Sequence, residues 1–139
     1  MEEIKVKAEL EQLDTVIRFI DGELDKIGCG LKAKLQIEVA VEEIFVNIAH
    51  YAYPDKDGTT IIRFSFDDQA NIATLCFLDS GTPYNPLANE EPDTTLSVEE
   101  RSIGGLGIFM VKKTMDSMVY DYKDGNNVLT IQKYACRSV

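Results

Sequence analysis

Apolar positions along this chain change period several times, and each change marks an element. Ile4, Val6 and Ala8 alternate with polar residues over Ile4 to Glu9, which predicts a short strand. Leu13, Val16, Ile17, Ile20 and Leu24 then recur at helical spacing, and Gly28-Cys29-Gly30 closes that helix. A second helix is predicted from about Leu31 to Ala52, stopped by Pro54 and Asp57-Gly58. Thr60 to Phe66 returns to period two, with Ile62, Phe64 and Phe66 on one face. Asp67-Asp68-Gln69-Ala70-Asn71 turns the chain into a further strand, Ile72 to Leu78.

Pro83 to Arg101 breaks the pattern. It holds Pro83, Pro86 and Pro92, an acidic cluster and little apolar content. Structure resumes at once afterwards, so the stretch reads as a mobile loop or lid, over about 83–103, rather than a linker. Gly107 to Asp116 is predicted as a helix. Met118 to Tyr122 and Val128 to Lys133 form a hairpin around Asp124-Gly125-Asn126-Asn127. The order is therefore strand, helix, helix, hairpin, loop, helix, hairpin. Strands in antiparallel pairs with helices covering one face make an α+β, two-layer α/β sandwich. A Rossmann fold would need strict strand–helix alternation.

Length and charge narrow the picture. The chain has 139 residues, enough for one domain over 1–139 with a real core. Its net charge of -10 argues against a nucleic-acid or anionic-membrane surface, either of which would need a basic stripe. Acidity does not exclude a phosphate-bearing small ligand, whose phosphates can be held by backbone N–H groups and a metal ion. Met1-Glu2-Glu3-Ile4-Lys5 lacks the basic and apolar regions of a signal peptide, and no apolar run approaches the ~20 residues of a membrane span. Cys29, Cys76 and Cys136 are far apart and odd in number, so they read as reduced thiols of a cytoplasmic protein. One histidine and scattered cysteines make zinc a poor fit.

Candidate chemistry lies in three places. At about 100° per residue, Ile37, Val41, Ile44, Phe45, Ile48 and Ala52 share the core-facing stripe of the second helix, and Glu43, Asn47 and His50 cluster on another face. Leu35, Val39 and Val46 lie beyond Glu43, which places Glu43 and Asn47 at the edge of the core with apolar residues on both sides. Taken alone, Glu43 and Asn47 read as a solvated i,i+4 pair. Alternatively Asn47 offers an oxygen to Mg²⁺, and Glu43 serves as general base beside the same phosphate. Asp79-Ser80-Gly81 suits a turn, or a carboxylate that accepts a hydrogen bond from an adenine amino group, with Gly81 leaving room for the base. Gly104-Gly105-Leu106-Gly107-Ile108 lets backbone approach a ligand at a helix N-terminus, a setting that suits phosphate. Arg101 reads as a solvated arginine or one that reaches a γ-phosphate. Thr130 reads as a plain strand residue or one facing the adenine end of the pocket. Tyr51, Tyr53 and Tyr84 read as packing residues.

These segments in this order resemble the histidine-kinase-like ATPases. Glu43-Ile44-Phe45-Val46-Asn47 is similar to the first box of that superfamily, Asp79-Ser80-Gly81-Thr82-Pro83-Tyr84-Asn85-Pro86 to the second, and Gly104-Gly105-Leu106-Gly107-Ile108 to the third. The likeness covers nearly the whole chain. Within the superfamily it points to the anti-sigma regulatory factors, which are serine/threonine protein kinases. It implies a Bergerat-type sandwich with a mixed, mostly antiparallel sheet and helices on one face. It also implies ATP and Mg²⁺ as cofactors, with Glu43 as catalytic base and Asn47 as metal ligand. Asp79 and Gly81 would hold adenine, Gly105 and Gly107 would cradle phosphates, and Thr130 would line the adenine pocket. The implied partners are a sigma factor and an anti-sigma-factor antagonist in a partner-switching system, with the chain a homodimer. Pro83 departs from the glycine often found there, and the lid is short and acidic. These departures motivate the alternative of an ATP-gated protein-binding module with little or no kinase activity.

Overall fold

A computed structural model describes residues 1–88, 105–134 and 136–137. Of the lid expected over about 83–103, residues 89–103 lie outside the described residues, and Arg101 with them. Eight principal elements follow the expected order: β1 (Glu2–Lys7), α1 (Leu13–Lys26), α2 (Leu31–Tyr51), β2 (Thr59–Asp67), β3 (Ile72–Asp79), α3 (Gly105–Thr114), β4 (Ser117–Lys123) and β5 (Asn126–Tyr134). The strands form one sheet in the order β1-β2-β3-β5-β4. The resemblance implied a mixed sheet, but every pairing among the described residues is antiparallel.

Alternation along the strands sorts the two faces. Ile62, Phe64, Leu75, Phe77, Leu129 and Ile131 are buried on the inner face, against Val16, Ile20 and Leu24 of α1, Ile37, Val41, Ile44 and Phe45 of α2, and Ile108 and Val111 of α3. The helices therefore form one layer on one side, with α2 packed between α1 and α3. No helix among the described residues is long and apolar enough to cross a membrane.

Several boundaries differ from the sequence pattern. β1 starts at Glu2 because its pairing with β2 runs from Glu2 opposite Phe64 to Lys7 opposite Thr59. α3 starts at Gly105, so Gly105 and Gly107 belong to its first turn. The last hairpin turns on Asp124 and Gly125 alone, both at positive φ (54° and 80°), as two-residue hairpins with the right twist require. Asn126 and Asn127 are consequently strand residues of β5 and not part of the turn.

Charged groups gather where α1 meets the start of α2. Lys34 Nζ donates to Asp25 Oδ1 at 2.9 Å and pairs with Asp21 Oδ1 at 2.8 Å. Glu38 Oε1 is buried with no hydrogen-bond partner among the described residues. Burial, followed by the hydrogen bond and charge of Asp21, pushes the Glu38 carboxyl up to about 7. The hydrogen bonds from Glu38 and Lys34 hold Asp21 below its usual value.

Two measurements follow. Phe45 is fully buried on α2, so Phe45→Ala should destabilise by about 3–5 kcal/mol in urea denaturation, whereas Leu35→Ala on the exposed side of α2 should change stability by less than about 0.5 kcal/mol. For Glu38, the folded state binds its proton more tightly than the unfolded chain does. That contribution is fully present below about pH 4.5 and is lost as pH rises through about 7. The denaturation midpoint should accordingly fall across this window, and Glu38→Gln should flatten that part of the profile. The lowered Asp21 acts in the opposite sense, below about pH 3.8.

Candidate functional site

A cleft opens where the C-terminal half of α2, the end of β3, the start of β5 and α3 converge. It encloses about 460 Å³, its open mouth included, between Ile44, Asn47 and Ile48 on one wall and Phe77, Asp79 and Leu129 on the other. Ile108 of α3 and Tyr120 of β4 also line it. The walls are largely apolar, with a few polar groups converging, which is the usual make-up of a small-ligand site.

Asp79 is buried because it is the last inward-facing residue of β3, two positions beyond Phe77. Its Oδ1 accepts from Gly81 N at 2.9 Å and from Asn127 Nδ2 at 2.9 Å. Among the described residues the hydrogen bonds of Asp79 go to Oδ1, so Oδ2 retains its acceptor capacity beside the cleft. The Asp79-Ser80-Gly81 segment is thus a turn that also presents a carboxylate to a pocket. Gly81 also has a packing role. A Cβ there would run into the carbonyl of Ala52, and the next residue, Thr82, donates its N–H to that same carbonyl at 2.7 Å. The glycine lets the loop after β3 close onto the end of α2. Tyr53 supports the same loop: its hydroxyl accepts from Ser80 N at 2.9 Å and donates to Thr59 O at 2.6 Å.

Asn47 is buried on the opposite wall, and its Nδ2 has no hydrogen-bond partner among the described residues. An unpaired buried amide costs about 1–3 kcal/mol, which a polar ligand or water in the cleft would offset. Glu43, one turn earlier on α2, is half-buried and lies against the first turn of α3. Its carboxylate occupies the space that a Cβ on Gly107 would take. A side chain at Gly107 would therefore displace the Glu43 carboxylate from this position. The first N–H groups of such a helix have no intrahelical partners, and here they start at Gly105. The expected apolar flank beyond Glu43 is open: Leu35 and Val39 are 52% and 54% exposed.

Thr130 is not brought to the cleft. It lies directly across from Cys76, and its hydroxyl is 3.7 Å from the Cys76 sulfur, on the outer face of the sheet. Inward positions of β5 are Asn127, Leu129 and Ile131, so period two excludes Thr130. Asn127 takes the place opposite Asp79. Its Nδ2 donates to Asp79 Oδ1 and to Thr82 O at 3.0 Å, and its Oδ1 accepts from Tyr84 N at 3.2 Å and from the Tyr120 hydroxyl. Neither Asn127 nor Tyr120 was singled out from the sequence. The signal was there, because Asn127 has the parity of Leu129 and Ile131. Tyr51 and Tyr84 also line the cleft, their ring centroids 6.2 Å apart, rather than serving only as packing. Tyr51 lies one helical turn beyond Asn47, on the same face.

Removing the Asn127 amide would strip partners from Asp79, Thr82 and Tyr120 together. Asn127→Ala should lower stability by about 1–3 kcal/mol in chemical denaturation, while Thr130→Val, away from that network, should stay within about 0.5 kcal/mol of the parent. Comparison with known proteins agrees with the geometry. Residues 6–133, from the end of β1 to the end of β5, match the histidine kinase-like ATPase domain. The serine-protein kinase RsbW of Staphylococcus aureus strain MRSA252 is 22% identical over 136 residues, covering 95% of this chain and 85% of that protein. RsbW of strain MSSA476 is 21% identical over the same span and coverage. With sandwich, cleft and matched segment coinciding, the chain belongs to the family of histidine kinase-like ATPase domains.

Proposed function

We propose that this chain is an ATP-binding anti-sigma factor that phosphorylates a serine on an anti-sigma-factor antagonist, as a serine/threonine protein kinase in a partner-switching system. The observation that carries the reading is one cleft with the Asp79 carboxylate held on one wall and Asn47 buried on the other, its Nδ2 without a partner among the described residues. Relatives named serine-protein kinases, alike over 95% of the chain, support the same class.

The residues fit the cofactors. Asp79 Oδ2 can accept from the exocyclic amino group of adenine, while Gly81 and Asn127 hold Oδ1 so that the carboxylate stays oriented. Apolar walls from Ile48, Phe77 and Leu129 suit a purine ring. No cluster of three or more His, Cys, Asp or Glu side chains suited to a metal occurs among the described residues. A magnesium ion would therefore take one oxygen from Asn47 and the rest from phosphate and water, as that cation commonly does. When bound, the ion would supply charge neutralisation for the transferred phosphoryl group.

The chain's own groups do the remainder. Glu43, one turn from Asn47, would accept the proton of the seryl hydroxyl as its oxygen takes the phosphoryl group. The space beside Gly107 would accommodate that carboxylate. The N–H groups of α3 from Gly105 onward would face the phosphates, consistent with the preference of helix N-termini for anions. The same reading includes a sigma factor as second partner, a homodimer and a cytoplasmic setting.

Calorimetric titration with Mg-ATP tests the first half. Wild type should bind, and Asp79→Asn should weaken binding about ten- to a hundredfold, because one acceptor becomes a donor facing the base. Radiolabelled phosphoryl transfer to an antagonist domain tests the second half. Glu43→Ala should retain nucleotide binding and lose about 10²–10⁴ in transfer rate. No binding by wild type would sink the reading. Binding without transfer would leave the ATP-gated binding module in its place.

A further inference from the structure

A second cluster lies at the far end of α2, away from the cleft. Residues Cys136 and Arg137, just after β5, are pinned between two loops. Cys136 N donates to Asn71 O at 3.2 Å, and Arg137 N donates to Asn71 Oδ1 at 2.8 Å, in the turn between β2 and β3. Gly30 N donates to Cys136 O at 2.9 Å, and the Arg137 guanidinium donates to Ile27 O, in the loop between α1 and α2. Cys29 and Arg137 complete an isolated antiparallel bridge. This backbone network holds Cys29 Sγ and Cys136 Sγ 2.7 Å apart. A disulfide needs about 2.05 Å between sulfurs, so little movement separates the two states.

We infer that Cys29 and Cys136 are a redox-active dithiol, which a low-molecular-weight disulfide oxidises to an intramolecular bond between the start of α2 and the segment after β5. Accessibility sets the order of events. Cys29 is the less buried of the two, half-buried where Cys136 is 1% exposed. Burial raises both thiols, Cys136 to about 12, so the pair rests protonated, and the greater exposure of Cys29 makes it the first to meet the oxidant. Cys29 gives its proton to water and its sulfur attacks one sulfur of the small disulfide. That S–S bond breaks, and one small thiolate leaves and is protonated. Cys136 then loses its proton and attacks Cys29 Sγ, breaking the mixed disulfide and releasing the second small thiol. Two cysteine thiols lose two electrons and two protons, and the small disulfide becomes two thiols. The third cysteine, Cys76, faces the outer side of the sheet beside Thr130 and takes no part.

The bond would close a loop between residues 107 apart in sequence. A loop of that length constrains the unfolded chain strongly. It would also anchor the N-terminal end of the helix that carries Glu43 and Asn47. The nucleotide reading is not needed for this inference, and the test below does not involve nucleotide.

Native protein would be equilibrated across a series of glutathione to glutathione-disulfide ratios, quenched with an alkylating agent, and examined by intact mass and peptide mapping. The expected result is one reversible two-electron transition, a linked peptide joining Cys29 to Cys136, and Cys76 still alkylated. The thermal midpoint of the oxidised form should rise by about 5 °C or more. Cys136→Ser should trap a glutathione adduct on Cys29, Cys29→Ser should leave Cys136 free, and Cys76→Ser should behave as wild type. The inference is overturned if all three thiols stay alkylatable across the series. A link that includes Cys76, or a lasting glutathione adduct on wild-type Cys29, would overturn it equally.

Discussion

The register between β3 and β5 is the constraint on which the rest of the molecule depends. These strands are the two innermost neighbours around the cleft, and their antiparallel pairing sets Leu75 opposite Ile131, Phe77 opposite Leu129 and Asp79 opposite Asn127. Four of those six side chains are large and apolar, and their burial under the helices selects which face of each strand turns inward. A slip of one residue would expose them all. Apolar burial therefore drives Asp79 and Asn127 into the interior at the strand ends, where neither could stay without a partner. Each is the other's partner, and the loop through Gly81, Thr82 and Tyr84 closes on the same pair.

The helix layer adds the second wall by the same logic at a different period. Ile37, Val41, Ile44 and Phe45 fix the roll of α2 about its axis. That roll places Asn47 inward at the cleft and Glu43 toward α3. Glu43 rests in the space left by the missing side chain of Gly107 in the first turn of α3.

Elements governed by local rules were legible in the chain. The helical stripes, the period-two strands, their order and the two-layer arrangement all follow from spacing, and the pairing of Asn47 and Asp79 across one cleft fits the expected motifs. What was obscured depends on register and on distant contacts. Reading Asp124 to Asn127 as one four-residue turn hid Asn127, although positive φ at Asp124 and Gly125 makes a two-residue turn sufficient. Thr130 was assigned by motif likeness, and counting alternate residues from Ile131 would have turned it outward. Tyr84 reaches the cleft only because its loop folds back onto Asn127. Cys29 and Cys136 lie at opposite ends of the topology and carry no spacing signal, so only the bridge between the helical loop and the strand end brings them together.

The pattern of satisfied and unsatisfied groups separates scaffold from binding surface. Asn127 has two donors and two acceptor positions, and all four are used within the protein. It can orient its neighbours but has nothing left for a ligand. Asp79 is half committed: Oδ1 is held, and Oδ2 makes no bond among the described residues. Asn47 Nδ2 is buried and has no partner among the described residues. Hydrogen-bonding capacity thus increases from the sheet outward across the cleft. A folding requirement alone would satisfy every one of these groups, because a buried polar atom without a partner lowers stability. On facing walls of one apolar cleft, these groups keep hydrogen-bonding capacity that no described residue uses.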